Sequence, residues 1–152
     1  MPDKLALRDA IIAQLEAELA TLTDAANESR DEATDQENRQ EGKYDMRAQS
    51  AAYLAAGQAK LATELGEAVA AYRGLTVAVA PSGAMATTGT LITLQSGAQE
   101  LWYYLGPARG GMEVAWEGKS VTVITPGSPL GRQLLGKRVG ETLARGVIAA
   151  VI

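Results

Sequence analysis

The sequence predicts an α+β protein: an N-terminal antiparallel coiled-coil hairpin, followed by a small antiparallel β-sheet domain with one short helix. Three observations lead there. Before Gly74 the only proline is Pro2, and glycine appears only at Gly42, Gly57 and Gly66. Beyond Gly74, glycine and proline recur every few residues while Val, Thr, Ile and Tyr become common. Apolar residues also keep a seven-residue period in the first part and change to short runs bounded by turns in the second. The boundary falls so that residues 1–74 form the hairpin and 75–152 the sheet domain.

In the first helix, Leu5, Ile12, Leu19 and Ala26 repeat every seven residues, and Leu15, Leu22 and Ser29 form a second row offset by three. That is an a/d seam. The second helix carries Ala51, Leu54, Gln58, Leu61, Leu65, Ala68 and Tyr72 at alternating steps of three and four. Between the two, Gly42 within Gln40-Glu41-Gly42-Lys43-Tyr44-Asp45 can supply the left-handed residue of a turn. Each arm has roughly 30 residues, so at ~1.5 Å per residue the hairpin is expected to run ~45 Å.

The remainder is expected to form strands at Thr76–Ala80, Thr87–Leu94, Glu100–Leu105, Met112–Trp116, Ser120–Thr125 and Thr142–Val151. Turns fall at Pro81-Ser82-Gly83, Ser96-Gly97-Ala98 and Ala108-Arg109-Gly110-Gly111. One helix interrupts them between Ser128 and Gly136. Ser128 suits its N-cap, Pro129 its first position and Gly136 the residue past its end, with Leu130, Leu134 and Leu135 as its apolar face.

Composition removes several kinds of chemistry. The chain has 152 residues, a formal charge of −4, no cysteine and no histidine. Disulfides, thiol or imidazole catalysis and zinc sites of the usual N/S type are excluded by inventory. Any metal has to be a hard cation on carboxylates or carbonyls. The mild acidity argues against a dedicated nucleic-acid binder. Asp3, Lys4, Arg8 and Asp9 interrupt the N-terminal apolar residues, and no apolar run approaches the ~20 residues of a spanning helix. A soluble, cytoplasmic protein is expected.

Two segments are candidates for function. Between Asp24 and Asp45 acidic residues crowd the end of the hairpin, where Glu41 and Asp45 are candidate Mg²⁺ ligands; a solvated helix face with pairs such as Asp35–Arg39 explains the same run. Gly127 to Gly140 carries three basic residues, Arg132, Lys137 and Arg138, between glycines, but its spacing fits no phosphate-binding loop. Ser128 has no base beside it, and capping accounts for it. Trp102, Tyr103, Tyr104 and Trp116 fall on expected strands and suit core positions better than a stacking platform.

The segment Ser128-Pro129-Leu130-Gly131-Arg132-Gln133-Leu134-Leu135-Gly136-Lys137-Arg138-Val139-Gly140 is similar to the S-P-x-x-x-x-L-x-G-K-x-x-G pattern of the Gre-type bacterial transcription elongation factors, GreA, GreB and their relatives. The chain resembles their plan along its whole length. A weaker match, Glu41-Gly42-Lys43-Tyr44-Asp45 followed by Ala51-Ala52-Tyr53-Leu54-Ala55-Ala56, stands where that family carries E-G-D-L-x-E-N-A-E-Y-H-A-A at its hairpin tip. The resemblance implies an FKBP-like second domain that docks at the rim of the secondary channel of RNA polymerase, with the coiled coil entering the channel. It places the docking loop at Gly127, Ser128 and Pro129, although the family commonly has Asp or Asn where Gly127 stands. Nucleic acid would be met only through the polymerase.

In that family an Asp and a Glu three residues later hold a second Mg²⁺ at the tip and promote transcript cleavage by the polymerase's own active site. Aligned on Glu41-Gly42, those positions hold Lys43 and Met46; aligned on Tyr53-Leu54-Ala55-Ala56, they hold Met46 and Gln49; taking Asp45 as the Asp leaves Ala48 for the Glu. No register restores the pair. The expectation is therefore a polymerase-binding regulator, not an enzyme, that owns no cofactor and at most shares Mg²⁺ with the polymerase. The alternatives are an FKBP-like peptidyl-prolyl isomerase and a coiled-coil adaptor with another partner.

Overall fold

The computed structural model describes residues 3–39 and 46–152. Helices α1 (Lys4–Arg39) and α2 (Met46–Arg73) form the helical hairpin. A six-stranded sheet follows, made of β1 (Leu91–Ser96), β2 (Gln99–Leu105), β3 (Glu113–Trp116), β4 (Lys119–Ile124), β5 (Thr142–Leu143) and β6 (Gly146–Val151), with the short helix α3 (Pro129–Leu134) between β4 and β5. The chain divides into two compact units: Met1–Ala13 together with Ala70–Ile152, and Gln14–Val69.

Within Gln14–Val69 the apolar seam is built from Leu15, Ala55, Leu65, Ala68 and Val69, all buried. Leu54 and Leu61, expected in that seam, are exposed instead, at 56% and 41%. In α2 the inward row passes through Ala55, Ala59 and Ala62, which are buried or half-buried. A helix rich in alanine offers two apolar rows one residue apart, and periodicity does not separate them. The row with the smaller side chains turns inward, where Cβ-only residues let backbones approach closely, and the leucines flank it.

In the other unit, the first turns of α1 bury Lys4, Leu7 and Ile11, while Leu5 is 51% exposed. The face that counts here is the one turned to the sheet. Trp116 Nε1 donates to Asp3 O (3.1 Å), Lys4 Nζ to Ile152 O (3.0 Å) and Gly89 O (3.4 Å), Arg8 Nη1 to Leu75 O (3.5 Å), and Tyr72 OH to Ala108 O (2.6 Å). Each is a side chain anchoring a backbone carbonyl or carried to one, so helix ends and sheet share one packed unit.

The sheet order is β3-β4-β2-β1-β6-β5. It is mixed, which corrects the expectation of an antiparallel sheet: β2 and β4 run parallel, with Trp102 beside Val121 and Tyr104 beside Val123. The cause is the tight β3–β4 hairpin, whose turn residues Glu117 and Gly118 both have positive φ (48° and 75°). It folds β4 back between β3 and β2, and the connection 106–112 has already reversed the chain.

Three other strand expectations change. Thr76–Ala80 forms no strand; the two sheet edges are taken by β3 and β5. The first strand begins only at Leu91, because Thr87 and Thr90 close a turn on each other through the Thr90 hydroxyl (2.6 and 3.1 Å) with Gly89 at φ 96°. The last predicted strand breaks into β5 and β6, and Gly146 enters the ladder where a Cβ would collide with Gln95 O.

Alternation along the strands gives the sheet two buried faces. One face sends Ile92, Leu94, Tyr103, Leu105 and Ile148 into a core with Ala86 and Leu134. Leu134 brings α3 onto that face; full burial of one leucine contributes ~2 kcal/mol. On the opposite face Leu91, Thr93, Tyr104, Val121 and Val123 are buried. This is the face met by the helix ends.

Candidate docking surface

The segment that follows β4 is shaped by one carbonyl. Thr125 O accepts from Ser128 N (3.1 Å) and from the Ser128 hydroxyl (2.8 Å), closing a tight turn around Pro126 and Gly127. The same hydroxyl accepts from Gly131 N (3.0 Å), so Ser128 caps α3 while it closes the turn. Pro129 occupies the first turn of the helix, where its missing N–H costs nothing. Gly131 is obligatory, since a Cβ there would run into Thr125 O. Past the helix, Gly136 takes φ 80° and its N–H bonds Ala86 O (2.8 Å), ending α3 as expected.

Gly127 and Pro129 are exposed and Ser128 is half-buried. The three residues expected at the docking loop therefore sit together on a rigid surface turn. Arg132 Nε reaches back to Gly127 O (3.0 Å) and fixes that peptide from outside. Nothing lies within 4 Å of the position a Gly127 Cβ would take, and its φ is not in the left-handed region. The absent side chain is thus a choice of surface chemistry, not a packing requirement.

The sequence placed Ser128 and Pro129 at the helix start through the capping pattern and at the docking loop through the resemblance, and singled out Arg132 as a basic residue, but it missed the roles of Thr125 and Gly131. Thr125 acts through its backbone, which leaves no trace in residue type. A glycine inside a short apolar helix was the one available signal for Gly131.

The candidate metal ligands Glu41 and Asp45 lie outside the described residues. Among the described residues no group of three or more carboxylates could hold a metal ion. Again among them, no helix is long and apolar enough to cross a membrane.

Three buried groups on the helix-facing side have shifted ionisation. Burial, and then the neighbouring Tyr104, push the Tyr72 phenol up, against the smaller pull of its bond to Ala108. Burial pushes Tyr104 up to about 12, with Arg8 acting the other way. Burial lowers Lys4. Both phenols stay neutral and protonated through physiological pH.

The other sheet face carries a shallow groove of about 490 Å³ lined by residues that include Leu101, Tyr103, Glu113, Ser120 and Thr122. Trp102 at its margin has Lys119 Nζ 4.5 Å from its ring centroid, and packs 6.0 Å from Trp116. The lining mixes hydroxyls and charges with only two aromatic residues.

No known protein-family profile matches the sequence, and no curated protein matches it. Among solved structures, the chain is similar to GreA factor homolog 1 (Gfh1) of Thermus thermophilus at 18% identity and a TM-score of 0.39, over 93% of this chain and 94% of that one. A structure of the transcription factor Gfh1 matches at 17% identity and a TM-score of 0.40, over 93% of each chain. Gfh1 of Thermus aquaticus matches at 16% identity and a TM-score of 0.35, over 94% of each. At these identities and scores the likeness carries no functional argument.

Proposed function

We propose that this chain is a regulator of transcription elongation that docks on bacterial RNA polymerase through Gly127, Ser128 and Pro129 and extends its helical hairpin into the polymerase's secondary channel. One observation supports the reading above others. The segment that resembles the Gre pattern folds into a hydrogen-bonded turn whose Gly127 and Pro129 are exposed and whose Ser128 hydroxyl makes two hydrogen bonds. A preformed surface turn binds without an ordering cost, which suits docking. It offers no catalytic group. The reading does not include stimulation of transcript cleavage, since no register of the tip restores the acid pair, and Glu41 and Asp45 stand four apart.

The test is binding of the full chain to core RNA polymerase, with Gly127→Arg as the probe variant. A Cβ at this exposed position meets nothing within 4 Å and the backbone is not left-handed, so the substitution is expected to change the surface and spare the fold, with circular dichroism as the control. The expected result is binding by wild type and at least a tenfold loss in the variant. A wild-type protein that neither shifts nor co-purifies with the polymerase sinks the reading and leaves the adaptor alternative. Adding the protein to backtracked complexes should leave transcript lengths unchanged. Shortening that disappears in Glu41→Ala and Asp45→Ala would restore a cleavage role, and turnover of a short proline-containing peptide would favour the isomerase.

A further inference from the structure

Helix α2 carries large apolar side chains that the hairpin does not bury. Tyr53 is 73% exposed, Leu54 56% and Leu61 41%. The inward row of α2 runs through Ala55, Ala59 and Ala62. Leu54 and Leu61 each stand one position before a member of that row, which turns them ~100° away from it. Gly57 falls between them, and the steps of three and four residues place Leu54, Gly57 and Leu61 on one face of the helix.

Gly57 is the informative member of that row. A glycine inside a helix costs stability relative to alanine. Here its φ is not left-handed, it is exposed, and nothing lies within 4 Å of the position its Cβ would take. Neither backbone conformation nor packing within the hairpin requires it. Between two exposed leucines, the missing side chain leaves a notch that lets another helix approach closely.

We propose that this face of α2 binds a second copy of the chain, with the two α2 helices antiparallel. The inference goes beyond the proposed function and does not depend on it. The row is its own complement: Leu54 and Leu61 are equally spaced on either side of the Gly57–Gln58 bond. A two-fold axis at that point sets Leu54 of each copy against Leu61 of the other and turns the two notches towards each other, the self-matching geometry of a symmetric dimer. The flanking charge agrees. Tyr53 and Lys60, both exposed and also seven residues apart, border the face on one side. The same axis brings the Lys60 ammonium of each copy beside the Tyr53 ring of the other, a cation–π pair made twice. A helix of unrelated sequence would cover the leucines without supplying these matches.

The experiment is sedimentation equilibrium of the full chain over a range of concentrations, beside Lys60→Glu and a variant carrying Leu54→Ser and Leu61→Ser, with circular dichroism as the folding control. Wild type should approach the mass of two chains as concentration rises, and both variants should associate at least tenfold more weakly. The chain has no cysteine, so Gly57→Cys introduces a single thiol close to the two-fold axis. It should form a disulfide-linked dimer at least tenfold faster than Ala56→Cys, whose exposed position is turned off the face. Should the double serine variant fail to fold, this comparison carries the test. A wild type that stays monomeric throughout overturns the proposal, including the case in which the face serves a different protein. Unchanged association in the folded variants, or equal oxidation of the two thiols, overturns it as well. None of these outcomes bears on the Gly127 turn, so the proposed function stands or falls separately.

Discussion

Tyr72 decides what residue 106 can be. Its hydroxyl lies where a Cβ on Gly106 would fall, and it donates to Ala108 O just beyond. Gly106→Ala therefore drives the phenol out of its slot, losing a hydrogen bond and forcing repacking around Val123. We expect a cost of about 2–3 kcal/mol in urea unfolding. Tyr72→Phe in the same chain should recover part of that loss, since the hydroxyl is the nearer obstacle; no recovery would mean the ring itself is the obstacle. Gly131 is constrained in the same way by Thr125 O. In both cases the sequence shows a glycine, and only the structure shows the atom that excludes every other residue.

At the scale of elements, α3 is the clearest case of a fold written locally. Ser128, Pro129 and Gly136 mark its start and end, and all three take the roles expected of them. Ser128→Ala should cost about 1 kcal/mol or somewhat more, because the hydroxyl both caps the helix and closes the turn on Thr125. Comparing urea midpoints of wild type and variant checks this; a shift within error would mean that water replaces both bonds. The helices are less legible. Their existence follows from the scarcity of glycine and proline, but α2 could not announce that Ala55 faces inward and Leu54 outward. The strands show a third situation. Thr76–Ala80 has strand-like residues and no strand, so its β-propensity alone does not bring it into the sheet.

For the molecule as a whole, ionisation of the buried phenols limits stability at high pH. Tyr104 titrates near 10.0 when unfolded and about 12 when folded. A pKa raised by folding means that the native state binds the proton more tightly, so its contribution is complete below pH 10 and is lost as pH rises towards 12. The difference between those two values corresponds to about 2–3 kcal/mol. Tyr72 acts in the same direction. Lys4 acts oppositely: burial lowers its folded pKa below 10.5, so the cost of burying its charge is relieved as pH rises towards that value. The net expectation is a fall in urea midpoint between pH 10 and 12, read by circular dichroism, and a shallower fall in Tyr104→Phe. An equal fall in that variant would place the alkaline limit elsewhere.

The sequence by itself determined the order of the parts: two long helices, then short strands, with one capped helix between Ser128 and Gly136. These features are set by neighbours within a few residues, through turn chemistry, capping and periodicity, and such interactions are readable in one dimension. It also determined what chemistry is absent, since no histidine or cysteine can be supplied by folding. Tertiary structure alone decided that β4 enters the sheet beside β2 in parallel, that the ends of α1 and α2 pack with the sheet through Lys4, Arg8 and Tyr72, and that Leu135 and Val139 remain in solvent while Leu134 does not. Those outcomes depend on contacts between residues far apart in the chain, where many pairings satisfy the same local pattern and packing selects among them.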